Sequence, residues 1–72
     1  MGVASVQYVS VLEDLKGKNV EIKVRELSTM NGKLIKFDDN YIVIQVVENI
    51  KGKQVVSTYY IPHYNIIYIT PA

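Results

Sequence analysis

The segment KQVVSTYYIPHYNIIYI, residues 53–69, decides the fold of this 72-residue chain. It contains two stretches that are apolar at nearly every residue, joined by a tight turn at residues 62–65. A strand with water on one face alternates apolar and polar residues, whereas a strand covered on both faces does not. A domain of this size has too little interior to cover both faces of two strands. We therefore expect both strands to be edges that another copy of the chain completes.

Length and composition limit how such a small chain is held together. The 72 residues predict a single domain, residues 1–72, and chains of this size usually depend on disulfides, a metal or oligomerisation. The sequence has no Cys and a single His, His63, which excludes disulfides and a zinc site. We expect no cofactor, and we expect the chain to be stabilised by self-association.

Charge and hydropathy limit which nucleic acids or membranes the chain is expected to bind and where in the cell it is expected to be. A net charge of +1 argues against a monomer that clamps duplex DNA through many phosphate contacts. It leaves single-stranded nucleic acid open, because base stacking then shares the binding energy. No apolar segment reaches the roughly 18 residues of a membrane span, and the first residues lack the basic region of a signal peptide. These features predict a cytoplasmic protein with no membrane partner.

The pattern along the chain predicts one helix followed by five short strands. Residues 1–4 are expected to be disordered and residues 5–16 to form a helix, with Gly17 as its C-terminal cap. A strand at residues 6–11 followed by one helical turn is the alternative, because the segment is rich in Val. Before the two apolar strands, the sequence predicts three further strands, at residues 19–26, 30–37 and 41–47.

A glycine within the second strand indicates how the strands are arranged. Gly32 is expected to mark a bulge or a sharp bend, as the corners of small barrels require. Five short strands with an internal bend close most readily into a highly curved barrel. We predict an all-β fold, a small five-stranded SH3-like barrel over residues 19–69, with a short N-terminal helix.

Two motifs resemble the Sm/LSm family of RNA-binding proteins. The pattern Gly32-x-Leu34-x-x-Phe37-Asp38 is similar to the first family motif, and IPHYNIIYI at residues 61–69 is similar to the second. The resemblance covers residues 12–69. It implies an Sm-like barrel that assembles into a homo-oligomeric ring of six or seven subunits, in which the fourth strand of one subunit pairs with the fifth strand of its neighbour.

The implied ring agrees with the apolar character of the last two strands, because both would lie between subunits. The predicted oligomer interface consists of Val55, Val56, Tyr59, Tyr60, Ile61, Ile66, Ile67, Tyr68 and Ile69.

The resemblance also implies binding of uridine-rich or adenine-rich single-stranded RNA at the central pore. The contacts would come from the turn after the second strand and the turn before the fifth. Carried over position by position, the RNA-binding residues are Asp38, Asn40, Tyr41, His63, Tyr64 and Asn65. His63 falls where the bacterial Hfq branch of the family has the His of a Tyr-Lys-His motif.

Each of these residues also has a purely structural interpretation. Tyr41 and Tyr64 either stack on bases or pack against neighbouring side chains. His63 either contacts a base or ribose, or satisfies local backbone groups as a turn residue. Lys16, Lys18, Lys23 and Arg25 are candidates for a second, sequence-indifferent contact surface, with a solvated face as the alternative.

Two departures from the family pattern keep a second function open. Ile42 stands where the family has the Asn that reads uracil, and the Arg-Gly of the second motif is replaced by Pro62-His63 or by Tyr64-Asn65, depending on register. The main prediction is a ring that binds single-stranded RNA in RNA processing or as an RNA chaperone. The alternative is an SH3-like barrel that binds protein without RNA. No enzymatic activity is expected, because the sequence offers no nucleophile–base pair.

Overall fold

The computed structural model describes residues 6–72, which form one α-helix, five β-strands and a short 3-10 turn. The prediction of a five-stranded fold with an N-terminal helix is confirmed, and the alternative of a strand at residues 6–11 is wrong. The disorder predicted at residues 1–4 lies outside the described residues. The elements are α1 Val6–Leu15, β1 Asn19–Val24, β2 Thr29–Phe37, β3 Tyr41–Ile50, β4 Lys53–Pro62, η1 His63–Asn65 and β5 Ile66–Pro71.

Helix α1 forms because its apolar face has a core to pack against. Leu12 and Leu15 are buried in that core, and such tertiary packing outweighs the weak helix propensity of a Val-rich segment. The helix ends at Leu15, and Gly17 just beyond it has a φ of 83°, a left-handed conformation that favours glycine. None of the helices formed by residues 6–72 is both long enough and apolar enough to cross a membrane.

The strands of residues 6–72 form a single antiparallel sheet in the order β4-β3-β2-β1-β5. Strands β4 and β5 follow one another in sequence but lie at opposite edges of this sheet. Strand β4 pairs only with β3 and β5 only with β1 among the described strands, so each has one hydrogen-bonding edge without a strand partner. The expectation that these two strands are edges is therefore correct for the isolated subunit.

Gly32 allows β2 and β3 to approach each other closely. A Cβ atom at this position would lie 2.6 Å from Ile44 Cγ2 and 2.8 Å from the carbonyl oxygen of Gln45. The register irregularity between these strands falls between Leu34 and Lys36 rather than at Gly32. The glycine is thus required for packing, and the bulge that changes the direction of β2 lies further along the strand.

The β3–β4 hairpin is longer than the sequence indicated. The predicted end of the third strand at residue 47 is wrong, because pairing with β4 continues to Ile50 and Lys53. The connecting residues Lys51 and Gly52 have φ angles of 52° and 79°, as a two-residue type I′ turn requires. The last register pair of β3 with β2 is Gln45–Lys33. The hairpin therefore continues past β2 as a two-stranded arm.

The core lies between α1 and one face of the sheet. Its buried side chains come from the helix and from the inward positions of four strands: Leu12, Leu15, Val20, Ile22, Val24, Leu34, Ile42, Ile44 and Ile61.

Candidate functional site

The turn between β2 and β3 is held by the carboxylate of Asp38. Its Oδ1 atom accepts hydrogen bonds from the backbone N–H groups of Asn40, at 2.8 Å, and Tyr41, at 3.0 Å. These two donors stabilise the charged form, that of Asn40 most, and lower the pKa of the Asp38 carboxyl below its ordinary value of 3.8. The Asp38 N–H donates to the carbonyl oxygen of Tyr41 at 3.0 Å. These hydrogen bonds stabilise the conformation of the turn.

His63 joins this turn to the one between β4 and β5. Its backbone N–H donates to the carbonyl oxygen of Asn40 at 3.3 Å, and its ring Nε2 lies 2.6 Å from the carbonyl oxygen of Asp38. The other ring nitrogen, Nδ1, lies 3.0 Å from the hydroxyl of Tyr8 on α1. The side chain is buried. These contacts give His63 a structural role, but its ring partners are distant in the sequence rather than local.

The two turns line an open pocket of about 330 Å³. This volume is at the lower end of the range for small-molecule sites, about 300–1,000 Å³. Tyr64 stands at its rim with 73% of its surface exposed, while Tyr41 is half-buried. The lining residues are Asp39, Asn40, Tyr41, Pro62, His63 and Tyr64.

Four of the six predicted RNA-binding residues therefore line one pocket: Asn40, Tyr41, His63 and Tyr64. Asp38 supports the pocket by holding its turn. Asn65 is not part of the lining, and its carbonyl oxygen accepts a hydrogen bond from the backbone N–H of Arg25 at 2.7 Å.

Sequence reasoning did not identify Asp39, Pro62 or Tyr8 as part of this site. Asp39 and Pro62 are next to predicted residues, so their contribution follows from adjacency along the chain. Tyr8 lies 55 residues from His63, and only its position on the apolar face of α1 indicated that it would point inward.

The residue at the family's uracil-reading position is not accessible in this chain. Ile42 is fully buried and belongs to the hydrophobic core. An Asn in that place would have donors and acceptors to offer a base, whereas the Ile side chain has none. Any ligand in the pocket must therefore be recognised by the aromatic and polar groups of the two turns.

Two cations, Arg25 and Lys36, contact or lie close to residues of the two turns. The guanidinium of Arg25 is 3.4 Å from the carbonyl oxygen of Tyr64, at the back of the β4–β5 turn. Lys36 is close enough to Asp38 to contribute to the lowering of its pKa. The carboxylates of Asp38 and Asp39 disfavour a phosphate inside the pocket, whereas Arg25 offers a cation at its edge.

The predicted interface residues divide into two groups. Ile61 is buried in the subunit's own core, and Ile66 and Ile69 pack against that core but keep part of their surface exposed. That all nine residues form the interface stays a prediction. The other six side chains are exposed: Val55, Val56, Tyr59, Tyr60, Ile67 and Tyr68.

Tyr68 is exposed but not free of contacts. Its hydroxyl donates to Glu21 Oε2 at 2.8 Å across the β1–β5 pair. The ring thus stands on the outer surface of the sheet with a fixed orientation.

No protein-family model and no curated protein sequence matches this chain. A heptameric archaeal Sm protein of known structure is 27% identical to it, with a TM-score of 0.66 over 88% of this chain and 97% of that chain. The P. aerophilum SmAP1 heptamer is 26% identical, with a TM-score of 0.68 over 96% of this chain and 97% of that chain. The five-stranded antiparallel sheet with its N-terminal helix is the fold of these proteins.

Proposed function

This chain is a Sm/LSm-like protein, and we propose that its copies assemble into a homo-oligomeric ring of six or seven subunits that binds single-stranded RNA. The ring catalyses no reaction and acts in RNA processing or as an RNA chaperone. A cytoplasmic location is part of the same proposal.

Ring assembly is supported by the two free strand edges. Strands β4 and β5 lie at opposite ends of the sheet, so β4 of one copy and β5 of the next can pair in the same direction around a closed ring. The exposed fractions of Tyr60, 61%, and Ile67, 56%, are high for side chains of this size. Contact with a neighbour removes such apolar surface from water. The two similar structures are themselves heptamers.

RNA binding is supported by the pocket between the two turns, and this observation carries the proposal. Tyr64 exposes its ring at the rim, and Tyr41 lines the wall. Stacking of a base on an aromatic ring is worth about 1–3 kcal/mol. Asn40 adds an amide with both donors and acceptors for a base edge. The base enters the pocket and its phosphate stays outside, next to Arg25.

Binding by the ring is multivalent. A shallow pocket binds one nucleotide weakly, but a ring holds several pockets at fixed spacing along one strand of RNA. Once one nucleotide is bound, the next binds at a high effective concentration. A net charge of only +1 per subunit is then sufficient for RNA binding, because affinity comes from repeated stacking rather than from a strongly basic surface.

We expect little discrimination between uracil and adenine. Ile42 offers no hydrogen bonds to a base, and Pro62 has no side-chain donor. Stacking accepts every base because each has a π-face. Oligo-U and oligo-A of equal length should therefore bind with similar affinity.

The proposal is tested by fluorescence anisotropy with labelled oligo-U and oligo-A. Tyr64→Ala should weaken binding by about tenfold or more per engaged nucleotide, since it removes a stacking platform. Leu27→Ala is the matched control, because Leu27 is also exposed but is not part of the pocket lining. Absence of binding to any oligonucleotide by an intact ring would refute RNA binding.

The second candidate is a protein-binding module, and the β3–β4 arm favours it. Val47, Ile50, Val55 and Val56 of this arm are all exposed, and an isolated two-stranded hairpin is only marginally stable in water. A partner protein could cover this surface. An intact ring that binds no oligonucleotide would support this function.

A further inference from the structure

We propose that helix α1 controls the shape of the nucleotide pocket through Tyr8, and that Tyr8 and His63 are positioning residues for nucleotide binding. This inference rests on the proposed function, because it concerns the same pocket. Neither residue needs to touch the RNA for this role. The helix, rather than the two turns alone, would then determine whether the pocket is formed.

The hydrogen-bond partners of His63 determine where its ring proton lies. A carbonyl oxygen can only accept, so the 2.6 Å contact with Asp38 places the proton on Nε2. In the neutral ring, Nδ1 is then an acceptor, and the Tyr8 hydroxyl at 3.0 Å is its donor. Burial raises the pKa of Tyr8 above its ordinary value of 10.0, so this hydroxyl keeps its proton at neutral pH.

The orientation of the His63 ring is fixed by packing as well as by these bonds. The rings of Tyr8 and His63 meet edge to face, with centroids 5.4 Å apart and an interplanar angle of 84°. Tyr8 packs against the core cluster that contains Leu12. The helix therefore restrains the imidazole on the side opposite its contact with Asp38.

Two sets of hydrogen bonds meet at Asp38, one from the helix through the His63 ring to its backbone carbonyl and one from its carboxylate to the pocket wall. The Tyr8 hydroxyl fixes the His63 ring, and that ring binds the carbonyl group of Asp38. The carboxylate of Asp38 in turn holds the N–H groups of Asn40 and Tyr41, which line the pocket. Removing the first donor leaves a buried acceptor unpaired, and the ring must rotate or take up water to satisfy it. Either change moves the turn that presents Tyr41.

Tyr8→Phe is the variant that isolates this effect. It removes one hydroxyl and keeps the ring that packs against His63 and the core, so the helix and the fold should be retained. Ser10→Ala is the matched control, since it removes a hydroxyl from an exposed position of the same helix. The assembled proteins are compared by the NMR shifts of the His63 ring nitrogens, by the backbone amide shifts of Asn40 and Tyr41, and by oligo-U affinity.

In the wild type we expect the His63 ring to carry its proton on Nε2. In Tyr8→Phe we expect the amide signals of Asn40 and Tyr41 to shift and oligo-U affinity to fall by about two- to tenfold, the range set by one ordinary hydrogen bond. Ser10→Ala should change none of these.

A proton on Nδ1 in the wild type, or amide signals that are the same in Tyr8→Phe as in the wild type, would overturn the inference. If the wild type binds no oligonucleotide, the proposed function fails, but the ring-nitrogen and amide signals still decide whether Tyr8 positions the turn.

Discussion

The rings of Tyr41 and Tyr60 lie edge to face, with centroids 5.4 Å apart and an interplanar angle of 81°. Tyr41 lines the pocket, and Tyr60 lies on β4, one of the two strands with a free edge. The pair therefore connects the proposed nucleotide site with the proposed subunit interface. Docking of a neighbour along β4 would restrain Tyr60 and, through it, the ring of Tyr41.

Tyr60→Ala should weaken both assembly and nucleotide binding. The edge-to-face pair is worth about 0.5–1.5 kcal/mol beyond its buried area, so oligo-U affinity of the assembled ring should fall by about two- to tenfold. Tyr59→Ala is the comparison, because Tyr59 is on the same strand and exposed but is not part of the pocket lining. It should weaken assembly alone. Equal oligo-U affinities for the two variants, measured at protein concentrations at which both are assembled, would disprove the connection between the interface and the nucleotide site.

Gly32→Ala should destabilise the subunit by about 1–3 kcal/mol, the usual penalty for overpacking. The added methyl group would lie 2.6 Å from a side-chain atom of Ile44 and 2.8 Å from the backbone of Gln45. Guanidinium unfolding at fixed protein concentration measures the change, since oligomer stability depends on concentration.

The control for the Gly32 variant is Gly52→Asn. A Cβ at Gly52 meets nothing within 4 Å, and Asn tolerates the left-handed conformation that this residue adopts. The free energy of unfolding should change by less than about 0.5 kcal/mol. Similar losses for the two variants would show that the close approach of β2 and β3 is unimportant.

The stability of the β2–β3 turn should depend on pH through Asp38. Its folded-state pKa is lower than the ordinary value of 3.8. The carboxylate's contribution is therefore fully present above that value and is lost as pH falls through the folded-state pKa. Asp38→Asn keeps an acceptor but cannot titrate, so the wild type should be the more stable at neutral pH and should lose this advantage in acid.

Thermal unfolding from neutral pH to well below pH 3.8 measures this difference. Asp39→Asn is the control, because it removes the adjacent exposed carboxylate, which makes no hydrogen bond among those found in residues 6–72. A stability difference between wild type and Asp38→Asn that stays constant with pH would argue against the role of the carboxylate.

Arg25 should contribute a phosphate contact at the edge of the pocket. Removing one such contact from a single-stranded complex makes the slope of log K against log salt concentration less negative by about 0.7. We expect this change for Arg25→Gln. Lys53→Gln, which removes a cation from the start of β4 next to the hairpin turn, should leave the slope as it is. An unchanged slope for Arg25→Gln would exclude the contact.

The elements of the fold could be predicted from the sequence because their patterns are local. The alternation of Val20, Ile22 and Val24 with charged residues indicated a half-buried strand, and all three side chains are buried. The apolar face of the helix, with Leu12 and Leu15, was equally direct. The length of the β3–β4 arm was less accessible. It depends on a Lys51–Gly52 turn with two positive φ angles, and Lys is an unusual residue for that conformation.

The site was predicted only in part, because some of its contacts join residues that are distant in the sequence. The family resemblance implied Asn40, Tyr41 and Tyr64 as site residues in two turns, and all three line one pocket. The role of His63 depends on partners far from it in sequence, Tyr8 and Asp38, and no local pattern specifies such a pairing. Likewise, the apolar character of Ile61 and Ile69 did not distinguish a core residue from an interface residue, because both environments select the same side chains.

The most direct test of the account is sedimentation velocity of the wild-type chain at micromolar concentration. The free edges of β4 and β5 predict one dominant species with a mass six to seven times the 8.2 kDa of the subunit. A stable, fully folded particle of 8.2 kDa would contradict the ring and, with it, the multivalent binding of RNA.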